Sequence, residues 1–258
     1  MSNNKCIILG TGTSQGVPII GCTCEVCLSN EDKDVRLRSS ALLSIGSSNI
    51  IIDTGPDFRQ QMLRHKVDHL DGILLTHEHN DHVAGLDDIR PFNYMQKESI
   101  ALFTSRRVID DLKTKYNYIF AEERYPGAPS INLNEIGQES FMIDQVSFQP
   151  IHYMHGSVPV IGFRVGDMAY ITDIKFIEDT EIEKLKGVRN LIVGALHHRA
   201  HHSHFNLSEA LTFAQKVNPE YVYITHISHY MGCYTAVNKT LPKGVQLAYD
   251  GLEIEISL

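Results

Sequence analysis

The chain has 258 residues, 43% of them hydrophobic and 21% charged, the composition of a globular protein long enough to bury a substantial core. Its formal charge of −8 argues against a general nucleic-acid binder, which carries a basic face. The start, MSNNK, is followed by an apolar run at 6–9 too short for a secretory signal, and no run approaches a membrane span, so the sequence reads as cytoplasmic.

Taken in chain order, short apolar runs recur between turn residues at 6–9, 41–45, 50–52, 72–75, 100–103, 146–148, 160–165, 169–171, 191–193, 221–224 and 252–256. Their length, β-branching and Gly/Asp/Pro flanks predict strands. Helical spacing of apolar residues predicts helices over 57–64, 82–94, 105–118, 179–185 and 208–217, the last starting at Ser208, whose hydroxyl can accept from a free N–H of the first turn. The pair 41–45 and 50–52 reads as a hairpin, so the expected fold class is α/β (α+β) with a partly antiparallel sheet. No internal repeat or linker is visible, and residues 1–258 read as one domain with a zinc-binding segment near 22–27. Residues 125–129, Tyr-Pro-Gly-Ala-Pro, read as a turn-rich surface loop.

After the first run comes GTGTSQGVPIIGCTCEVC, residues 10–27. Its glycines match neither a Walker A loop nor GxGxxG, which leaves a tight glycine turn. Cys22, Cys24 and Cys27 form CxCxxC, and in a reducing compartment three such thiolates suit zinc. His229 or Cys233 would supply the fourth ligand, while Cys6 reads as a small core residue.

The run at 72–75 leads into THEHNDH, residues 76–82. In extended chain His77 and His79 point the same way and can grip one ion. Asp81 and His82, at a helical turn capped by Asn80, can face a second. Imidazole and carboxylate together suit zinc, manganese or iron. Further on, HHRAHHSHF at 197–205 reads by itself as a solvated histidine-rich loop.

HxHxDH after a strand resembles the signature of the metallo-β-lactamase superfamily, which implies an αβ/βα four-layer sandwich with a two-metal site at one edge. The resemblance implies further ligands at His155, with His152 as competitor, at Asp173 and at His226. It assigns His77, His79 and His155 to one metal and Asp81, His82 and His226 to the other, with Asp173 bridging. Glu78 stands where alanine is common and is expected to face solvent or support a ligand. With LGTGTSQGVP, CxCxxC, MHG, a strand-end TD and THxSH, the chain is similar to the PhnP-type phosphodiesterases, whose core resembles tRNase Z and which hydrolyse phosphoribosyl 1,2-cyclic phosphate. That resemblance spans 9–229. It implies a structural zinc on Cys22, Cys24, Cys27 and His229, and a general-acid histidine for which His204, then His202, is the choice.

The expected function is therefore that of a metal-dependent hydrolase cleaving a small, cyclic phosphodiester by attack of a hydroxide held between two zinc or manganese ions about 3.5–4 Å apart. Asp81 and His204 are the catalytic candidates. Two divalent ions, two carboxylates and that hydroxide leave a formal charge of about +1, suited to an anionic ester. Rival readings are a tRNA 3′-processing endonuclease, a thioesterase or lactonase on the same core, and a non-catalytic metal or ligand sensor. The short 121–130 loop, with Arg124 its one basic residue, and the acidic charge disfavour tRNA. A homodimer is expected from the family, with no membrane partner.

Overall fold

In a computed structural model, residues 4–123 and 125–258 are described. Residues 1–3 of the MSNNK start and Arg124 of the 121–130 loop lie outside the described residues. The first sheet is built from β1 (Lys5–Gly10), β2 (Ser40–Ile45), β3 (Ser48–Ile52), β4 (Gly72–Leu74), β5 (Ile100–Thr104) and β6 (Ile131–Glu135). The second holds β7 (Phe141–Ile143), β8 (Val146–His155), β9 (Val158–Val165), β10 (Met168–Ile171), β11 (Asn190–Gly194), β12 (Tyr221–Thr225) and β13 (Val245–Leu247). The last strand, β14 (Glu253–Glu255), returns to β1, giving the orders β14-β1-β2-β3-β4-β5-β6 and β13-β12-β11-β10-β9-β8-β7.

Side-chain alternation sets the layers. Cys6, Ile8, Leu43, Ile50 and Ile52 of the first sheet pack with Phe148, Ile161, Phe163, Tyr170 and Ile192 of the second in one buried cluster. The intervening residues point outward. Ile7, Leu42, Ile51 and Ile73 meet α1 (Phe58–His65), the one-turn α2 (Asn80–Val83), α3 (Arg90–Gln96), α4 (Arg106–Lys115) and the one-turn α5 (Asn117–Phe120) in a second cluster. Ile151, Ala169, Leu191 and Val222 meet α6 (Asp179–Glu183), α7 (Leu207–Val217) and α8 (Tyr234–Asn238) in a third. Three apolar layers between helices, sheet, sheet and helices make the αβ/βα sandwich.

The structure contains a repeat that the sequence hides. From β14 through β3 the pairings are antiparallel, and from β3 to β6 they are parallel. From β7 through β10, then to β13, the same succession recurs. In both halves the parallel strands end at one rim.

Four local expectations change. β6, β7 and β13 were not expected as strands; each lies at a sheet edge and carries no long apolar run, because an edge strand has one neighbour fewer to cover it. The helix expected over 82–94 is broken into α2, a 3₁₀ turn at Leu86–Ile89 and α3. A Cβ on Gly85 would come within 2.1 Å of Gly55 O, and Gly85 N–H donates to Thr54 O, so the chain there is pinned to the loop after β3 and cannot continue its spiral. Helix α7 starts from Asn206, not Ser208: the Asn206 side chain accepts from Glu209 N–H at 2.9 Å, and Glu209 accepts from Asn206 N–H at 2.8 Å. The Asn80 cap is absent; His79 precedes the first helical residue and no side chain caps it. The turn at 125–129 forms as expected, closed by Ala128 N–H to Tyr125 O. Among the described residues no helix is long and apolar enough to cross a membrane.

Candidate metal centre

The site lies where the parallel strands of both sheets end. There β4 runs into His77, β8 ends at His155, β10 is followed by Thr172-Asp173, and β12 by His226. Asp173 (φ +47°), His226 (φ +54°) and Asp53 after β3 (φ +64°) all adopt the left-handed conformation that non-glycine residues rarely take. Such turns aim a side chain back over the strand ends, and the strain they cost is held by the sheets on either side.

Asp173 occupies the middle. Its Oδ1 is 3.1 Å from His226 Nε2 and its Oδ2 is 3.2 Å from His82 Nε2. Asp81 Oδ2 lies 3.3 Å from His82 Nε2 and 3.6 Å from His226 Nε2. On the other side His77 Nε2 and His79 Nδ1 face each other at 3.0 Å. The ring centres of His77, His79 and His155 are 4.6, 5.8 and 5.3 Å apart, close to the roughly 5 Å of imidazoles sharing one tetrahedral ion. All seven residues expected as ligands therefore converge.

Backbone and carboxylate partners fix the rings. His82 Nδ1 donates to Asp53 at 2.7 Å, and His155 Nδ1 donates to Ser203 O at 2.7 Å. Each leaves Nε2 free to bind a cation. Asp53 is wholly buried and also accepts from Thr76 N–H and Thr76 Oγ1. Asp53 escaped the sequence reading. Its signal was present, since Ile-Ile-Asp-Thr after a strand mirrors Tyr-Ile-Thr-Asp at 170–173, but a strand-end aspartate by itself reads as a turn residue.

The electrostatics suit cations. Burial works against charge on Asp173, yet His226 and His82 hold its carboxyl well below the usual range. Burial likewise opposes the charged form of His82, and Asp81, Asp53 and Asp173 hold that ring well above its ordinary value. Burial pushes His77 well down and His155 down. Among the described residues, His82 Nε2 and both ring nitrogens of His226 are buried without a hydrogen-bond partner. Ring nitrogens facing the buried Asp173 and the partly buried Asp81 are the donor set of a dinuclear site, and the residues fit divalent metals, which would take the place of the ring protons.

His204 joins this cluster. Its ring is 4.3 Å from that of His155 and 5.0 Å from that of His226, and Nδ1 is 3.6 Å from Asp173 Oδ1. Burial, with His226 next, pushes it down to about 2. His202 is exposed, which separates the two candidates. His152 points elsewhere, its Nε2 on Gly137 O at 3.0 Å. Glu78 turns away from the centre to an ion pair with Arg107.

Cys22, Cys24, Cys27 and His229 form a second cluster, their ligand atoms all within 4.8 Å of one another. The three sulfurs are 3.4, 3.3 and 3.5 Å from His229 Nδ1, against about 3.6 Å across a tetrahedral zinc. The Cys27 backbone N–H lowers the Cys24 thiol to about 6, which favours a thiolate ligand. Cys233 precedes α8 and is outside this cluster. Cys6 is buried in the core, where burial pushes its thiol up.

A family model described as the beta-lactamase superfamily domain matches residues 48–227. An octanoyltransferase of Porphyromonas gingivalis (strain ATCC BAA-308 / W83) is 41% identical over 253 residues, 96% of this chain and 51% of that protein. The chain thus spans about half the length of the curated relatives it matches. The crystal structure of a new diphosphatase from the PhnP family superposes with a TM-score of 0.92 at 36% identity, covering 99% of this chain and 98% of that one. Human tRNase Z, short form, shares the fold with a TM-score of 0.69 at 19% identity over 98% of this chain and all of its own. A model match over more than half of the chain, and a relative alike over nearly its full length, lead to one assignment: the chain belongs to the metallo-β-lactamase superfamily and, within it, to the PhnP family.

Proposed function

We propose that the protein is a two-metal hydrolase of a small phosphodiester, with a cyclic sugar phosphate as the expected form. The observation that carries this reading is the buried Asp173 carboxylate between His82 and His226, with Asp81 alongside and His77, His79 and His155 opposite. Two divalent cations held there would supply Lewis-acid polarisation of a phosphoryl oxygen, acidify a water, and leave the site positive toward an anionic ester.

The chain's own residues do the rest. Asp53 and Ser203 hold His82 and His155 in one tautomer and one orientation. With the anionic ester bound, His204 acts as an imidazolium that gives one ring proton to the departing oxygen and is left as the neutral imidazole. A bound anionic ester beside His204 would offset the burial that lowers it, since a nearby negative charge favours the imidazolium. The PhnP-family relative is a diphosphatase, and attack at phosphorus is common to both ester and anhydride.

The curated relative's name favours one second reading, acyl-ester chemistry, although that protein is about twice as long. The deciding experiment is a panel of a chromogenic phosphodiester, a ribose cyclic phosphate, a dinucleoside diphosphate, a thioester and a lactone. Each is offered to zinc- or manganese-loaded protein, with Asp81→Ala as control. Cleavage at phosphorus that disappears in the variant is the expected result. Cleavage of the thioester or lactone alone would refute the phosphodiester reading, and no turnover on any would return the sensor reading.

A further inference from the structure

A row of rings runs from the catalytic cluster to the cysteine–histidine cluster, and the proposed chemistry leaves it unused. The His201 ring lies 5.1 Å from His204 and tilted to it, His197 lies 6.0 Å from His201 and Tyr230 6.2 Å from His197, the last two pairs edge to face at 81° and 76°. Tyr230 rests against His229 with ring centres 4.0 Å apart, yet the residue is 67% exposed.

Backbone bonds build this row. The 197–205 loop is closed at its base by Leu196 N–H to Phe205 O at 3.0 Å and by Leu207 N–H to His197 O at 2.9 Å. His198 Nε2 donates to Met231 O at 2.8 Å and ties the loop to the turn that carries Tyr230. That turn is itself capped by Ser228 Oγ, which accepts from Tyr230 N–H. The rings are therefore positioned before any ligand arrives, so little ordering cost opposes a flat partner. A single exposed tyrosine is ordinary on a surface. This one ends a continuous row that begins at the residue placed to protonate the leaving group.

We infer that the exposed ring of Tyr230, with His197 set edge-on beside it, forms a stacking platform on the leaving-group side of the site, so that the substrate's leaving group bears a planar heteroaromatic ring such as a nucleobase. The inference rests on the phosphodiester reading for the direction of the leaving group.

Adenosine 5′-monophosphate and ribose 5-phosphate carry the same phosphate and sugar and differ by the base alone. Calorimetric titration of the zinc-loaded protein with each isolates the platform from the phosphate site. The nucleotide should bind about tenfold more tightly, as stacking of one base commonly gives. Tyr230→Ala should remove that preference, and Tyr230→Phe, which retains the ring, should keep it. Equal affinity of the wild-type protein for the two ligands overturns the platform. So does a preference that survives Tyr230→Ala, or one lost in Tyr230→Phe, which would assign it to the hydroxyl. A base preference with no hydrolysis of any phosphorus ester would sustain the platform and remove the phosphodiester reading alone.

Discussion

Asp53 shows how much of a metal centre lies behind its ligands. A neutral imidazole offers one lone pair, and the proton on the other nitrogen decides which. With Asp53 taking the Nδ1 proton of His82, Nε2 is committed to the centre. Asp53→Ala should therefore weaken metal binding about 10- to 100-fold, measured by competition with a chromogenic chelator, while leaving every ligand in place. His204 is the complementary case. Its loss in His204→Ala should lower kcat about 10²- to 10⁴-fold with metal content unchanged by mass spectrometry; unchanged turnover would remove the general-acid role. The ligands that follow an apolar run, His77, His79, Asp81 and His82, are legible in sequence because strand and donors adjoin. His155 and Asp173 needed the family pattern, and Asp53 was missed, because its role exists only through a ring 29 positions away.

At the scale of elements, the cysteine–histidine cluster ties the loop after β1 to the segment after β12. His226 and His229 lie three residues apart, one at each cluster, so the end of β12 and the loop are fastened by the same short piece of chain. The loop is also bonded directly, with Thr13 N–H on Ile227 O at 3.1 Å and Ile227 N–H on Thr11 O at 2.8 Å. His229→Ala should cost one equivalent of zinc per chain, read by metal analysis, and lower the melting temperature. Retention of full zinc would shift the fourth ligand elsewhere. Helix α7 depends on its capping box, and Asn206→Ala should destabilise the fold by about 1 kcal/mol in thermal unfolding. Central strands were readable as apolar runs since both faces are covered. Edge strands β6, β7 and β13 were not, for the same physical reason in reverse.

Over the whole molecule, Asp250 closes the chain on itself. It accepts from Leu37 N–H and Thr11 Oγ1, joining the C-terminal segment to the N-terminal loop. Burial raises its carboxyl to about 6 from 3.8. Because the folded state holds this proton more tightly than the unfolded chain, the group stabilises the fold below pH 4. That contribution is lost as pH rises through 6. A shift of this size corresponds to roughly 3 kcal/mol. Asp250→Asn should flatten the dependence of unfolding free energy on pH between 4 and 6, and an unaltered slope would place the ionisation elsewhere. The larger symmetry was invisible in sequence. Two halves with the same order of antiparallel and parallel pairings share no recognisable pattern of residues, since strand pairing is made by backbone and tolerates any side chain that suits its layer. What the repeat provides is a rim where strand ends from both sheets meet, and there the donors from 77 to 226 assemble.

Crystals of the protein loaded with zinc and manganese, with anomalous maps collected at both absorption edges, test the metal centre most directly. Three peaks are expected: two flanking the Asp173 carboxylate, and one zinc enclosed by Cys22, Cys24, Cys27 and His229. A single ion among His77, His82 and Asp173, or none, would contradict the two-metal account and the chemistry built on it.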